Sequence, residues 1–218
     1  MTERVLHLIR HGRSDPSSRR VIDTPRGRQW DPSLDETGRE QARLLARRLA
    51  LLDPPPAAVY CSPMSRTRET AEPYAEAEGI DVRYDDHLIE ANIGSWEGLP
   101  FEEIIASDED ILPLVRASRS IWTRAPGGES FGAFRDRVRP AIDRIVERHP
   151  DGDLVVICHG GVINAYLGPL LGIDHAMFFI PDNTSVNSIE VDGDRARVRF
   201  LNDTLHLAEP SLFEPPAA

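Results

Sequence analysis

The stretch Val5-Leu6-His7-Leu8-Ile9-Arg10-His11-Gly12 decides the fold of this 218-residue chain. A mostly apolar run that ends at a glycine predicts a buried parallel strand followed by a loop. A second such run, Leu154-Val155-Val156-Ile157-Cys158, continues into His159-Gly160-Gly161. Ligands of open α/β sheets bind at the carboxyl ends of the strands. The two runs therefore predict that Arg10, His11 and His159 meet at one functional edge.

Two imidazoles and a guanidinium at one edge suit a phosphate better than a metal ion. A guanidinium forms paired hydrogen bonds to a phosphate dianion and repels a cation. Arg66, at the start of a helix predicted to follow a strand at 57–61, adds a second cation, because helix N-termini attract anions. Two glutamates, Glu90 and Glu97, follow in a loop, where a carboxylate near these groups can protonate a leaving oxygen.

Length, composition and charge narrow the class of protein. The chain is long enough for one domain with a sizeable core, and 40% of its residues are hydrophobic. No run approaches the roughly 18 apolar residues of a membrane span, and the start Met1-Thr2-Glu3-Arg4 predicts no signal peptide. The net charge of −11 argues against nucleic-acid and anionic-membrane partners. Cys61 and Cys158 lack a Cys-x-x-Cys spacing, so we expect reduced thiols and a cytoplasmic protein.

The order of predicted elements is that of a single α/β domain over residues 1–208 with a loose tail at 209–218. Strands are expected at 4–9, 57–61, 81–84 and 154–158, with an edge hairpin over 186–201 that turns at Asp192-Gly193-Asp194. Helices are expected at 37–52, 62–79, 101–118, 131–148 and from 161 onward. We expect 12–33 to be a long loop and 91–128 to be a lid-like insert.

Two helix starts carry sequence signals. Thr37 is the predicted cap of the first helix, with Glu40 at the capping-box position. Ser62-Pro63 is the predicted start of the second helix. On that helix Arg66 and Arg68 must point in different directions, so at most one of them faces the site. We expect Arg68 to be the solvated one.

Four motifs, in order along the chain, resemble those of the histidine phosphatase superfamily, whose fold is phosphoglycerate mutase-like. They are Arg10-His11-Gly12, Ser62-x-x-x-Arg66-x-x-x-Thr70, Leu88-x-Glu90-x-x-x-Gly94-x-Trp96-Glu97-Gly98 and Cys158-His159-Gly160-Gly161. The resemblance runs from about residue 4 to residue 206. It implies a three-layer α/β/α sandwich with a mostly parallel central sheet. The segment Glu90-Ala91-Asn92-Ile93-Gly94 is similar to the phosphatase branch rather than the mutase branch.

The resemblance also implies roles for the site residues. His11 would be the nucleophile that becomes a phosphohistidine, and Glu90 would be the acid and base. Arg10, Arg66 and His159 would hold the phosphoryl oxygens. It implies no cofactor and no metal, because the cations already meet the charge of the phosphate. A neutral imidazole nitrogen is a competent nucleophile, and positioned cations are what phosphoryl transfer requires.

Other residues are expected at the rim of the site. Ser14 matches a hydroxyl position of the family, and the backbone amide of Gly160 is placed to meet a phosphate. Arg13 and Ser17 depart from the family's pattern, which commonly has Glu or Gln and Asn there. Arg13 is therefore a candidate specificity contact, for a substrate with a second anionic or polar group. The loop holds further arginines that could share this role: Arg19, Arg20, Arg26 and Arg28.

We therefore expect a cofactor-independent, metal-independent phosphomonoesterase that acts on a small phosphorylated metabolite. Three alternatives remain open at this point: phosphoglycerate mutase-type phosphoryl transfer, a protein phosphohistidine phosphatase, and a non-catalytic phospholigand-binding protein. Binding alone does not require the acid Glu90, which weighs against the last of these. The sequence leaves a homodimer open and does not identify the substrate.

Overall fold

The structure is a computed structural model that describes residues 4–116, 121, 124–192 and 195–214. Its strands, in chain order, are β1 Arg4–Arg10, β2 Val21–Thr24, β3 Gly27–Trp30, β4 Ala58–Cys61, β5 Val82–Tyr84, β6 Leu154–Cys158, β7 Val186–Asp192 and β8 Arg195–Asp203. Six of them form one sheet in the order β5-β4-β6-β1-β7-β8, and β2 and β3 pair separately. The first four strands of that order run parallel, whereas β7 and β8 are antiparallel to their neighbours.

Helices cover both faces of the sheet. They are α1 Glu36–Leu49, α2 Ser65–Glu78, α3 Phe101–Ser107, α4 Ile111–Arg116, α5 Phe131–Arg148, α6 Gly160–Leu170 and α7 Leu205–Ala208. Alternate strand residues point to opposite faces, so Ile9 and Val155 pack with α1 and α2, while Leu8 and Val156 pack with α5 and α6. The predicted single-domain α/β fold with a mostly parallel sheet is confirmed. None of the described helices has the length and apolar character needed to cross a membrane.

The register of the central strands places the functional edge. Arg10, the last residue of β1, pairs with Cys158, the last residue of β6. The amide of His11 then donates to the carbonyl of Cys158 at 3.0 Å. Because the two strands are parallel and end together, His11 and His159 leave the sheet side by side.

Both predicted helix caps are wrong. α1 begins at Glu36, and its cap is Asp35, whose carboxylate accepts from the amide of Gly38 at 2.8 Å. Thr37 lies inside the first turn, where its hydroxyl accepts from Arg13. α2 begins at Ser65 after Met64, with no side-chain cap. The hydroxyl of Ser62 lies instead 2.9 Å from Nε2 of His159, the residue after β6. The local sequence does not reveal this contact.

The region predicted as one loop, 12–33, contains the hairpin β2–β3. Its turn passes through Gly27, whose φ of +98° favours glycine. The hairpin lies against the segment that carries Glu90, because the side-chain amide of Gln29 donates to the carbonyl of Glu90 at 2.9 Å. Its short strands lack an alternating apolar pattern, so periodicity could not predict them.

The insert and the tail also differ from expectation. The helix predicted over 101–118 is divided at Asp108, whose carboxylate accepts from the amide of Asp110 at 2.9 Å and thus competes with the helical pattern. Residues 117–118, the turn at 193–194 and the tail end at 215–218 lie outside the described residues. The described start of the tail forms a short 3-10 helix, Pro210–Phe213, with the Phe213 ring stacked beneath the guanidinium of Arg48 at 5.7 Å.

Candidate functional site

His11 lies at the carboxyl end of β1, nearly buried. Its Nδ1 lies 2.7 Å from the carbonyl oxygen of Gly12. A carbonyl can only accept a hydrogen bond, so Nδ1 carries the proton and Nε2 keeps its lone pair in the neutral ring. Burial, then the charges of Arg66 and Arg10, lower the pKa of His11 well below its usual value. His11 is therefore a neutral imidazole with a lone pair on Nε2.

His159 stands beside His11 and is fully buried. The two rings meet edge to face, with centroids 5.3 Å apart. Nε2 of His159 lies 2.9 Å from the hydroxyl of Ser62, and Nδ1 is buried without a hydrogen-bond partner among the described residues. Burial lowers the pKa of His159 well below its usual value, with Arg66 the next cause. A buried polar nitrogen without a partner is unfavourable unless a ligand supplies one.

Arg10 and Arg66 supply the positive charge of the site. Arg10 donates from Nη1 to the carbonyl of Pro181, and its Nε is buried without a partner in the described part of the chain. Arg66, nearly buried on α2, donates to the carbonyl of Trp30 at 3.1 Å. Burial lowers the pKa of both arginines, and the charge of Glu90 partly offsets this. Arg68 is exposed on the same helix, over the ring of Tyr84.

The carboxylate of Glu90 is held by two hydrogen bonds at the same edge of the sheet. One oxygen accepts from the amide of Ala91 and the other from the amide of Gly161, each at 2.9 Å. Gly161 lies in the first turn of α6, two residues after His159, so Glu90 is brought close to the second histidine. Burial raises the pKa of Glu90 above its usual value, although these hydrogen bonds and Arg66 oppose the shift. A carboxyl with a raised pKa is suited to donate a proton.

Glu97 has a different position. Its carboxylate accepts from the amides of Trp30 at 2.7 Å and Ile93 at 2.8 Å. These contacts join β3 to the start of the insert. Burial raises the pKa of Glu97 too, and the negative charge of Glu90 adds to the shift. The geometry is that of a residue that fixes the hairpin in place.

The residues expected at the rim of the site do not all lie close to the two histidines. Gly160 lies close to Arg10, since a Cβ built on it would be 3.9 Å from Nε of that arginine. Ser14 forms a backbone bridge with Leu34. The guanidinium of Arg13 is not brought into the cluster, because it pairs with Asp35 at 2.5 Å and with Thr37 at 2.8 Å.

The other loop arginines differ in their contacts. Arg19 donates to carbonyls of its own loop, and Arg20 pairs with Asp31 at 3.1 Å. Arg26 lies in the turn of the β2–β3 hairpin and Arg28 lies on β3. Nε of Arg26 is buried and unpartnered within the described ranges.

Several residues that build the site carry no signal strong enough for the sequence argument. The hydroxyl of Thr70, quoted above only as part of a motif, accepts from the amide of Gly12 at 2.9 Å and so fixes the loop after β1. Asn183 donates to the carbonyl of His11 at 3.0 Å. Arg137 on α5 contacts the backbone at Glu90. Their partners are main-chain atoms far away in sequence, which composition and spacing do not reveal.

The arrangement combines a neutral imidazole with a lone pair on Nε2, two buried guanidiniums, a second imidazole and a carboxyl with a raised pKa. Within the described residues, no group of three or more His, Cys, Asp or Glu side chains is placed to hold a metal ion. Cations around an unprotonated nucleophile fit the three equatorial oxygens of a phosphoryl group.

Phosphatases are among the known proteins to which the chain is similar in sequence. The family model described as histidine phosphatase superfamily (branch 1) matches residues 6–204. The chain is 34% identical over 212 residues to phosphoserine phosphatase 1 of Hydrogenobacter thermophilus, covering 94% of each protein. It is 28% identical to a metal-independent phosphoserine phosphatase of Arabidopsis thaliana, over 92% of this chain and 82% of that one.

Solved structures of phosphatases have a similar fold. The native structure of a mycobacterial glucosyl-3-phosphoglycerate phosphatase superposes with a TM-score of 0.76 at 28% identity, covering 93% of this chain and 100% of that one. A putative alpha-ribazole-5'-P phosphatase from Escherichia coli gives a TM-score of 0.74 at 25% identity, over 92% of this chain and 96% of that one.

Proposed function

Because the chain belongs to the histidine phosphatase superfamily, we propose that it is a metal-independent phosphomonoesterase that hydrolyses a small phosphorylated metabolite through a phosphohistidine. The single observation that carries the proposal is the hydrogen bond from Nδ1 of His11 to the carbonyl of Gly12, at 2.7 Å, in a site that also holds two buried guanidiniums. This bond directs the lone pair of the imidazole to Nε2, the atom that must attack phosphorus.

Binding comes first. Arg10 and Arg66 take the phosphoryl oxygens, with Nδ1 of His159 and the backbone amide of Gly160 completing the cradle. The unpartnered Nε of Arg10 and Nδ1 of His159 gain the hydrogen bonds they lack. Such charge-assisted hydrogen bonds are roughly twice as strong as neutral ones. In the low-dielectric setting of these buried groups, they stabilise the charge that spreads over the equatorial oxygens in the transition state.

Transfer then proceeds in two balanced steps. Nε2 of His11 forms a bond to phosphorus as the bond to the ester oxygen breaks, and Glu90 gives its proton to that oxygen, so that an alcohol leaves. Glu90, now a carboxylate, takes a proton from water as the water oxygen attacks phosphorus. The bond to Nε2 breaks, inorganic phosphate forms, and Glu90 is protonated again. The raised pKa of Glu90 favours the protonated starting form.

The relatives support the substrate class. Their names give phosphoserine, glucosyl-3-phosphoglycerate and alpha-ribazole phosphate, which are all small phosphate monoesters. We propose the same class for this chain, with its specificity set by the insert over 91–128 and by the β2–β3 hairpin. We also propose the cytoplasmic compartment that the cysteine pattern predicts, and the sequence analysis allows a homodimer.

The experiment is phosphate release from p-nitrophenyl phosphate and a panel of phosphorylated metabolites, in buffers treated with EDTA. His11→Ala should abolish turnover and unfold at the same temperature as the parent. Arg66→Ala should raise KM and lower kcat, because it removes a buried cation. Arg68→Ala is the matched control on the same helix and should behave like the parent. Turnover that survives in His11→Ala, or that requires an added divalent ion, contradicts the proposal.

A further inference from the structure

Arg137 on α5 binds the backbone that carries Glu90. Its guanidinium donates to the carbonyls of His87 at 2.8 Å, Ile89 at 2.9 Å and Glu90 at 3.1 Å. We infer that Arg137 is a positioning residue that fixes the proton donor against the leaving oxygen. This inference rests on the proposed function, in which Glu90 protonates that oxygen.

The remaining donors of Arg137 are also occupied. Nε donates to one carboxylate oxygen of Glu129 at 2.8 Å, and Nη2 donates to the other at 2.9 Å. A guanidinium has five N–H donors, and all five are used by Glu129 and the three carbonyls. Arg137 therefore has no donor left for a phosphoryl oxygen. It differs in this from Arg10, whose Nε has no partner among the described residues.

The guanidinium is held rigidly. The side chains of Arg137 and Glu129 are only 8% and 15% exposed. The ring of Phe134, one turn earlier on α5, lies 4.7 Å from the guanidinium carbon. Such a buried bidentate pair, stacked on an aromatic ring and carried by an 18-residue helix, offers few alternative geometries.

The segment that it holds has little regular structure of its own. Glu90 lies between the short 3-10 helices Asp86–Leu88 and Gly94–Trp96, outside any strand. The Glu90 carbonyl also accepts from the side-chain amide of Gln29. Without the guanidinium, the carbonyls of His87 and Ile89 would lose the hydrogen bonds that Arg137 donates, and the backbone would move to satisfy them. The carboxylate of Glu90 would then lose its alignment with the amide of Gly161.

Glu129 connects Arg137 to the base of the insert. Its amide donates to the carbonyl of Asn92 at 2.8 Å, so the chain leaves and re-enters the core at neighbouring points. The carboxylate of the same Glu129 accepts from Arg137.

The test uses leaving groups, because a general acid matters for a poor leaving group and little for a good one. The enzyme variants are Arg137→Lys, Glu90→Gln and the double variant. Lysine keeps the charge but lacks the planar fork. The quantity compared is kcat/KM, because it reports only the first transfer, in which Glu90 acts as the acid. For Arg137→Lys we expect kcat/KM on an alkyl phosphate to fall roughly tenfold or more, and kcat/KM on p-nitrophenyl phosphate to fall less than about threefold. Inhibition by inorganic phosphate should change little, since no donor of Arg137 reaches the phosphate.

The double variant tests whether Arg137 affects the reaction through Glu90. Once Glu90→Gln has removed the acid, adding Arg137→Lys should cause no further loss specific to the alkyl phosphate, because residues that act through one another are not additive. Arg139→Lys is the matched control, since this half-exposed arginine on the same helix pairs with Asp143 at 3.8 Å. It should leave both rates unchanged.

The outcomes separate the inference from the proposed function. If Glu90→Gln lowers kcat/KM equally for both substrates, Glu90 is not the acid, and both its proposed role and the positioning role of Arg137 are contradicted. If Glu90→Gln is selective for the alkyl phosphate but Arg137→Lys lowers kcat/KM equally for both substrates, only the positioning role is overturned. Should Arg137→Lys fail to fold, Glu129→Gln tests the inference in its place, because it weakens the hydrogen bonds that hold the guanidinium of Arg137. It should give the same selectivity to a smaller degree, and equal losses on both substrates would overturn the inference.

Discussion

Ser62 and His159 are joined across two parallel strands, with the serine hydroxyl 2.9 Å from Nε2 of the imidazole. Ser62 follows β4 and His159 follows β6, so the sheet register itself brings them together. Both side chains are fully buried. A hydroxyl that donates to Nε2 leaves the proton of the ring on Nδ1, the nitrogen that we propose donates to a phosphoryl oxygen.

The first prediction concerns this bond. Ser62→Ala should raise KM for phosphate esters by about tenfold, the value of one ordinary hydrogen bond, because His159 would no longer be held as the Nδ1–H tautomer. The ¹⁵N resonances of His159 should report Nδ1–H in the parent and a mixture of tautomers in the variant. A parent spectrum with the proton on Nε2 would contradict the assignment, whatever the kinetics.

The protonation of His11 gives a second prediction. Burial and two guanidiniums lower the pKa of His11, so the ring should stay neutral well below pH 6.5, the ordinary midpoint of an imidazole. NMR titration in phosphate-free and sulfate-free buffer measures this directly, with the resonance assigned by its loss in His11→Ala. A midpoint at or above pH 6.5 would show that the free enzyme holds an imidazolium, which cannot attack phosphorus.

The third prediction concerns the close contact between the backbone of α1 and the loop after β1. A Cβ at Gly38, in the first turn of α1, would lie 2.0 Å from the carbonyl oxygen of Arg13. Gly38→Ala must push the loop after β1 away, and the carbonyl of Gly12 that orients His11 lies in this loop. We expect a loss of about 1–3 kcal/mol in the free energy of unfolding together with a lower kcat.

Gly132→Ala provides the matched control for that change. Gly132 also lies in the first turn of a helix, α5, but nothing lies within 4 Å of the position its Cβ would take. Alanine there should stabilise the protein by up to about 1 kcal/mol and leave kcat unchanged. Equal behaviour of the two variants would remove the steric explanation.

The fourth prediction concerns acid stability. Burial lowers the pKa of His7 to about 4, against 6.5 for an ordinary histidine. As the pH falls below 6.5 the unfolded chain takes up this proton first, so stability declines until about pH 4, where the folded protein is also protonated. The difference amounts to about 3 kcal/mol.

Urea unfolding of the parent and of His7→Gln at pH 7, 6, 5 and 4 measures this contribution. The parent should lose more stability than the variant over this range. His206, whose pKa burial also lowers to about 4, contributes equally to both proteins and drops out of the difference. Parallel stability curves would mean that His7 is not held neutral by the fold.

The sequence predicted the parts of the fold that depend on local apolar patterning. The runs before His11 and His159 are buried on both faces of a parallel sheet, so their strands and their common edge could be inferred. The hairpin at 21–30 could not, because its strands are short and half-exposed. They are held by bonds from Gln29 to the carbonyl of Glu90 and from the amide of Trp30 to the carboxylate of Glu97. The cap at Asp35 was missed because Thr37, a residue that also favours N-cap positions, lies only two positions later.

Proximity in sequence also misled the prediction for Arg13. It lies two residues from His11, but the chain turns there and its guanidinium meets the carboxylate of Asp35. Arg137 is the opposite case, because it lies 47 residues from Glu90 and contacts it through backbone carbonyls. Side chains that recognise main-chain atoms leave no pattern in one sequence, so three-dimensional contacts were needed to find them.

The measurement that tests the central claim most directly is the stereochemical course at phosphorus, using a phosphorothioate ester made chiral with ¹⁷O and ¹⁸O and hydrolysed in H₂¹⁶O. Transfer to Nε2 of His11 inverts the configuration, and transfer from the phosphohistidine to water inverts it again. We predict overall retention in the chiral inorganic thiophosphate released. Inversion would mean that water attacks the substrate directly, and it would contradict the role of His11 as the nucleophile.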